Sequence, residues 1–149
     1  SLRETVDRLL VMGNLREGNI KYQRLEMREL LGEMKKAYPD IHVENHMDAI
    51  EGDGSLILCL FKNLISNAVK AGKHVTVTAS DNCVCIWNDG KYIEKQKLNY
   101  LNRNHEFPRA EAERNGYGIG LCYEIVKLHG WKMDYESSEE EGTTVKIKM

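Results

Sequence analysis

Leu56-Ile57-Leu58-Cys59-Leu60-Phe61-Lys62-Asn63-Leu64-Ile65-Ser66-Asn67-Ala68-Val69-Lys70-Ala71, opened by Gly52-Asp53-Gly54-Ser55 and closed by Gly72, is the stretch on which the fold turns. Asp53 and Ser55 supply helix-start chemistry and Gly72 a stop, so a helix is predicted over about 56–71. At about 100° per residue, Ile57, Phe61, Leu64, Ile65 and Ala68 fill one face, while Asn63, Asn67 and Lys70 share a narrow stripe opposite. One face packs, and the other presents two amides and an ammonium. From spacing alone such a stripe reads first as a solvated polar face, although asparagines one turn apart are poor helix formers and unusual filler.

Working outward, Val6, Leu9 and Leu10 mark a short helix tail within residues 1–15,. Ile20–Leu25 reads as an edge strand, Met27–Tyr38 as a helix ending before Pro39, and Ile41–His46 as a strand. Beyond the central helix, His74–Ala79 and Cys83–Trp87 are β-rich, with Ser80-Asp81-Asn82 as their turn. Ile93–Leu101 carries a modest helical period, and Asn102–Asn115 carries none and is expected to be a loop. Gly116-Tyr117-Gly118-Ile119-Gly120 is expected to be a turn opening a helix over about Leu121–His129, capped by Gly130. Trp131–Glu136 and Thr143–Met149 complete a closing hairpin. The mixed order of helices and strands, without repeats, is α+β.

Composition excludes several functions. Among 149 residues, 21 are Lys or Arg and 23 are Asp or Glu, and a net charge of -2 argues against a nucleic-acid surface,. The longest apolar run, Leu56–Phe61, is far short of the ~20 residues of a membrane span. Cys59, Cys83, Cys85 and Cys122 include no C-x-x-C pair, so buried reduced thiols are expected rather than disulfides or zinc ligands. His42, His46 and His129 lack metal-ligand spacing. Structural roles are expected for them, His129 as a cation at a helix end. His105-Glu106 falls in the expected loop and is not read as a phosphoacceptor.

Two further stretches read either as ordinary turns or as ligand contacts. Asn88-Asp89-Gly90 ends a strand, where a side chain can accept a hydrogen bond from a ligand's amino group while Gly90 admits the ligand to the backbone. Gly116–Leu121 would gather backbone N–H groups and a helix amino terminus at one point, which suits phosphate.

Taken in order, Asp53, Asn63–Lys70, Asn88-Asp89-Gly90, Gly116–Leu121 and Gly142-Thr143-Thr144 closely resemble the catalytic ATP-binding domain of bacterial sensor histidine kinases over residues 16–149. This superfamily, shared with DNA gyrase and MutL, has the Bergerat fold. The resemblance implies a two-layer α/β sandwich whose mixed sheet is covered on one face by about three helices. It implies that Asn67 holds Mg²⁺ against the phosphates of ATP, with Asn63 and Lys70 also facing the nucleotide as the catalytic set. It places Asn88, where most members carry aspartate, at the adenine amino group, with Thr143 as its partner and Gly90 and Ile93 beside the base. Tyr92 stands where the family has a second glycine. Gly116, Gly118, Gly120 and Leu121 would bind phosphate, with 102–115 as the ATP lid.

Hydrolytic relatives place a glutamate where Asn63 stands, and an amide cannot serve as a base, which favours phosphoryl transfer to protein over hydrolysis. The acceptor histidine is expected on a dimerisation domain preceding Ser1, with residues 1–15 as the end of its helix. The chain is thus expected to be an excised, monomeric, cytoplasmic piece of a homodimeric, membrane-anchored parent that also engages a response regulator. Two other readings share the fold: a non-catalytic nucleotide-sensing or docking domain, and a serine-phosphorylating kinase like some anti-sigma factors.

Overall fold

The computed structural model describes residues 20–106 and 118–149. Two strands and a helix come first: β1 (Gln23–Glu26), α1 (Met27–Ala37) and β2 (His42–Asn45). β3 (Ala49–Gly52) then leads into α2 (Gly54–Ala71). The hairpin of β4 (Val75–Ser80) and β5 (Cys83–Asn88) is followed by α3 (Lys95–Asn104) and α4 (Gly118–Leu128). β6 (Lys132–Ser138) and β7 (Gly142–Lys148) close the chain.

A five-stranded sheet runs in the order β2-β4-β5-β7-β6, with β2 parallel to β4 and the other neighbours antiparallel. β1 and β3 form a separate antiparallel pair. This is the mixed, α+β, two-layer architecture expected, with four described helices rather than about three.

Alternation along the strands builds the core. Val77, Ile86, Val145 and Tyr135 align in one cross-strand row and Ala79, Val84, Ile147 and Met133 in the next, all buried,. Helix α2 lies on β4 and β5 and against α4, pressing fully buried Ile57, Leu60, Phe61 and Ile65 into the core. Asp53 caps α2 through Oδ1, which accepts from the Leu56 N–H at 3.2 Å,. The β4–β5 turn holds Asp81 and Asn82 at φ 53° and 59°, the backbone form that two-residue hairpins prefer,.

Several boundaries differ from the expectations. β1 starts at Gln23 rather than Ile20, because its pairing with β3 begins at Gln23↔Gly52. β3 itself was not foreseen: at four residues it is too short to show a period. α3 extends through Asn102–Asn104, which the lack of apolar period had assigned to a loop. Its anchor is polar: Asn102 Nδ2 donates to the Tyr135 carbonyl at 2.9 Å and Oδ1 accepts from the Tyr135 N–H at 2.8 Å. One amide thereby takes the place of a neighbouring strand at the sheet edge formed by β6. His105 ends α3 in the left-handed conformation and stacks on Tyr123 with ring centroids 4.4 Å apart. Gly118 and Gly120 lie within α4 instead of in a turn before it.

His129 also departs from the reading as a cation. Its Nε2 accepts from the Asp53 N–H at 3.1 Å while Nδ1 donates to the Ile125 carbonyl at 2.7 Å. The ring therefore acts through a lone pair, joining the end of α4 to the start of α2. None of the four cysteines is in a disulfide, and only Cys122 is fully buried where four buried thiols were expected.

Residues 1–19 and 107–117 lie outside the described residues, so the expected amino-terminal helix, most of the expected lid and Gly116 do too. Among the described residues no helix is long and apolar enough to cross a membrane.

Candidate nucleotide site

At one end of the core rows the side chains turn polar. The register aligns Val75, Asn88, Thr143 and Ser137 across β4, β5, β7 and β6. Asn88 and Thr143, each 6% exposed, are the buried polar side chains of the described residues. Thr143 Oγ1 bonds Ser137 Oγ at 2.7 Å, and Ser137 Oγ accepts from the Ile93 N–H at 2.7 Å. Asn88 Oδ1 accepts from the Gly90 N–H at 2.9 Å.

Asn88 and Thr143 of this row line a cavity of about 320 Å³, within the range of small-molecule sites,. Leu64, Ala68, Ile86, Ile93, Ile119 and Val145 supply apolar walls, and Asn67, Lys70 and Lys91 stand at its polar side. Among the described residues no carboxylate lines it, and two lysines do. A second hollow, of about 400 Å³, is bordered by Glu26, Arg28, Glu29 and Asp48 and lacks such apolar walls.

The structure thus brings Asn67, Lys70, Asn88, Ile93 and Thr143 to one cavity, from three parts of the chain. It does not bring all the expected residues there. Asn63 is half-buried beside its own helix, donating from Nδ2 to the Cys59 carbonyl at 2.8 Å. Gly118 and Leu121 are buried in α4, and it is Ile119 between them that reaches the cavity.

Gly90 has a different duty from the one expected. A Cβ there would lie 1.9 Å from the Ala71 carbonyl oxygen, so its lack of side chain admits the end of α2,. Gly142, at φ 77°, likewise seats its backbone against the Asn88 carbonyl, 2.4 Å from where a Cβ would be.

Asp89 turns away from the cavity. Oδ1 accepts from the Lys73 and His74 N–H groups at 2.8 and 2.9 Å, and Oδ2 pairs with His74 Nδ1 at 2.6 Å. The His74 N–H, and then its ring, hold the Asp89 carboxyl down at about 2,. Burial pushes the Tyr135 phenol well above its ordinary value, so the ring is a neutral wall of the cavity.

Lys91 was missed because a lysine after a turn reads as solvated surface. Its position directly beyond Asn88-Asp89-Gly90 was the available signal.

The profile of the histidine kinase-, DNA gyrase B-, and HSP90-like ATPase family matches residues 52–149, from the end of β3 through the whole cavity to the last residue. The chain belongs to that family. Its curated relatives include the adaptive-response sensory kinase SasA of Prochlorococcus marinus, 26% identical over 138 residues, covering 85% of this chain and 37% of SasA. The sensor protein QseC of Escherichia coli O157:H7 is 25% identical over 119 residues, covering 76% of this chain and 26% of QseC. The chain therefore spans well under half the length of these relatives.

Solved structures agree in fold. Histidine kinase AdeS of Acinetobacter baumannii superposes with a TM-score of 0.73 at 14% identity, covering 97% of this chain and 75% of that one. The cytoplasmic segment of histidine kinase QseC gives 0.69 at 18%, covering 97% and 93%. Membership of this ATPase family and the shared architecture carry the Bergerat fold, as the motif series implied.

Proposed function

We propose that the chain is the catalytic domain of a sensor histidine kinase, binding ATP in the cavity over Asn88 and Thr143 and presenting its γ-phosphoryl group to a histidine on a separate dimerisation domain. The observation that carries this is the meeting of the Asn67/Lys70 stripe of α2 with the polar Asn88–Thr143 row in one cavity that no described carboxylate lines. Apolar walls suit a planar base, the buried amide and hydroxyl suit its polar edge, and the ammonium of Lys70 suits phosphate charge.

The residues fit a divalent ion only in company with the nucleotide. Among the described residues no cluster of three His, Cys, Asp or Glu side chains is present, and Asn67 offers one hard amide oxygen on the α2 side of the cavity,. With phosphate oxygens completing its shell, Mg²⁺ would neutralise phosphate charge. Asn63 bears no group able to deprotonate water, which favours transfer over hydrolysis. Catalysis by this chain is then orientation: base and phosphates held so that the terminal group is presented in line to the partner histidine. Residues 1–15 belong in this reading to the dimerisation domain of a homodimeric, membrane-anchored parent that passes phosphate to a response regulator.

Calorimetric titration with ATP and ADP in the presence of Mg²⁺ tests binding, and no heat at millimolar nucleotide would overturn the proposal. Mixing the chain with a dimerisation domain carrying the acceptor histidine and labelled ATP tests transfer. Labelled histidine is the expected product.

A further inference from the structure

Resting on the reading of this cavity as a nucleotide site, we infer that its base edge accepts 6-oxopurine nucleotides as well as 6-aminopurine ones, because Asn88 presents both a hydrogen-bond donor and an acceptor there. The Gly90 N–H lies 2.9 Å from one end of the Asn88 amide, and only an oxygen can receive that hydrogen,. The opposite end is consequently the NH₂ group, and Asn88 is among the side chains that line the cavity. Among the described residues nothing accepts its hydrogens.

A carboxylate in this place would only accept, and so would favour a base offering an exocyclic amine. The amide differs in kind. Its Nδ2 donates to an oxo group, and its Oδ1, with one lone pair on Gly90, keeps a second for an amino group. The neighbouring polar group does not restore a preference, since the Thr143 hydroxyl can donate or accept,. The acid next in sequence is committed elsewhere, with both Asp89 oxygens held by Lys73 and His74. A site that leaves a buried donor unpaired rejects ligands lacking its partner, so an NH₂ aimed at the base works against exclusive recognition of adenine.

The test compares ATP with inosine triphosphate, which carries the 6-oxo group without the extra 2-amino group of guanine. Both are titrated with Mg²⁺ into the chain and into Asn88→Asp. For the unmodified chain the two affinities should agree within about tenfold, and in Asn88→Asp inosine triphosphate should weaken at least about tenfold relative to ATP. ATP binding with inosine triphosphate more than tenfold weaker in the unmodified chain overturns the inference and leaves the proposed function standing. Failure of both nucleotides to bind overturns both. Should Asn88→Asp not fold, as judged by circular dichroism, the ratio measured on the unmodified chain decides alone.

Discussion

Asn88 on β5 and Thr143 on β7 are register partners, and each sits 6% exposed at the end of rows that are otherwise apolar. A buried amide and hydroxyl are costly unless bonded. Thr143 is bonded to Ser137, but Asn88 is only half engaged, through the Gly90 N–H. The polar capacity left over, inside a largely apolar cavity, is what suits this end of the sheet to the proposed recognition of a base.

Lys70 and Asn67 should act on the phosphates and not on the base. Lys70→Ala is expected to weaken ATP about tenfold, about 1.4 kcal/mol, while leaving adenosine unchanged. Asn67→Ala should make ATP affinity indifferent to added Mg²⁺. Calorimetry with ATP and adenosine, with and without Mg²⁺, reads both.

Gly90→Ala should unfold or strongly destabilise the domain. The added Cβ would meet the Ala71 carbonyl oxygen at 1.9 Å, a backbone atom at the end of α2 that cannot rotate aside. A loss of about 3 kcal/mol or more is expected in urea denaturation.

Asp89 links stability to acid. Its folded value of about 2 lies below the ordinary 3.8, chiefly through the His74 N–H. The stability it contributes is complete above the unfolded value and is lost as pH falls from about 4 towards 2. In Asp89→Asn the urea midpoint should be lower at neutral pH and should fall less over that acid range.

His129→Ala removes the acceptor of the Asp53 N–H and the donor to the Ile125 carbonyl in one step. Leaving those groups unpaired should cost about 2 kcal/mol, read as a lower urea midpoint. His129→Gln, which keeps a donor and an acceptor, should recover part of the loss.

Much of this was legible in the chain. The amphipathic pattern of Leu56–Ala71 is local, so both the buried face and the Asn63/Asn67/Lys70 stripe could be assigned from spacing alone. The alternation in Val75–Ala79 and Cys83–Trp87 placed Asn88 at the end of a strand for the same reason. What failed were elements without a local period: β3 is too short to show one, and the end of α3 is held by the Asn102 amide on β6, a contact 33 residues away in sequence.

By itself, then, the sequence determined the α+β class, the motif series and the polar stripe of α2, because each is written within a turn or two of backbone. Only the tertiary structure decided what those groups are bonded to. It gave the Gly90 backbone to Ala71, Asp89 to His74, and Asn63 to its own helix, while Lys91 joined the cavity unannounced. The cause is that hydrogen-bond partners and steric contacts between distant segments depend on how sheet register and helix packing bring them together, and no stretch of sequence read alone contains that placement.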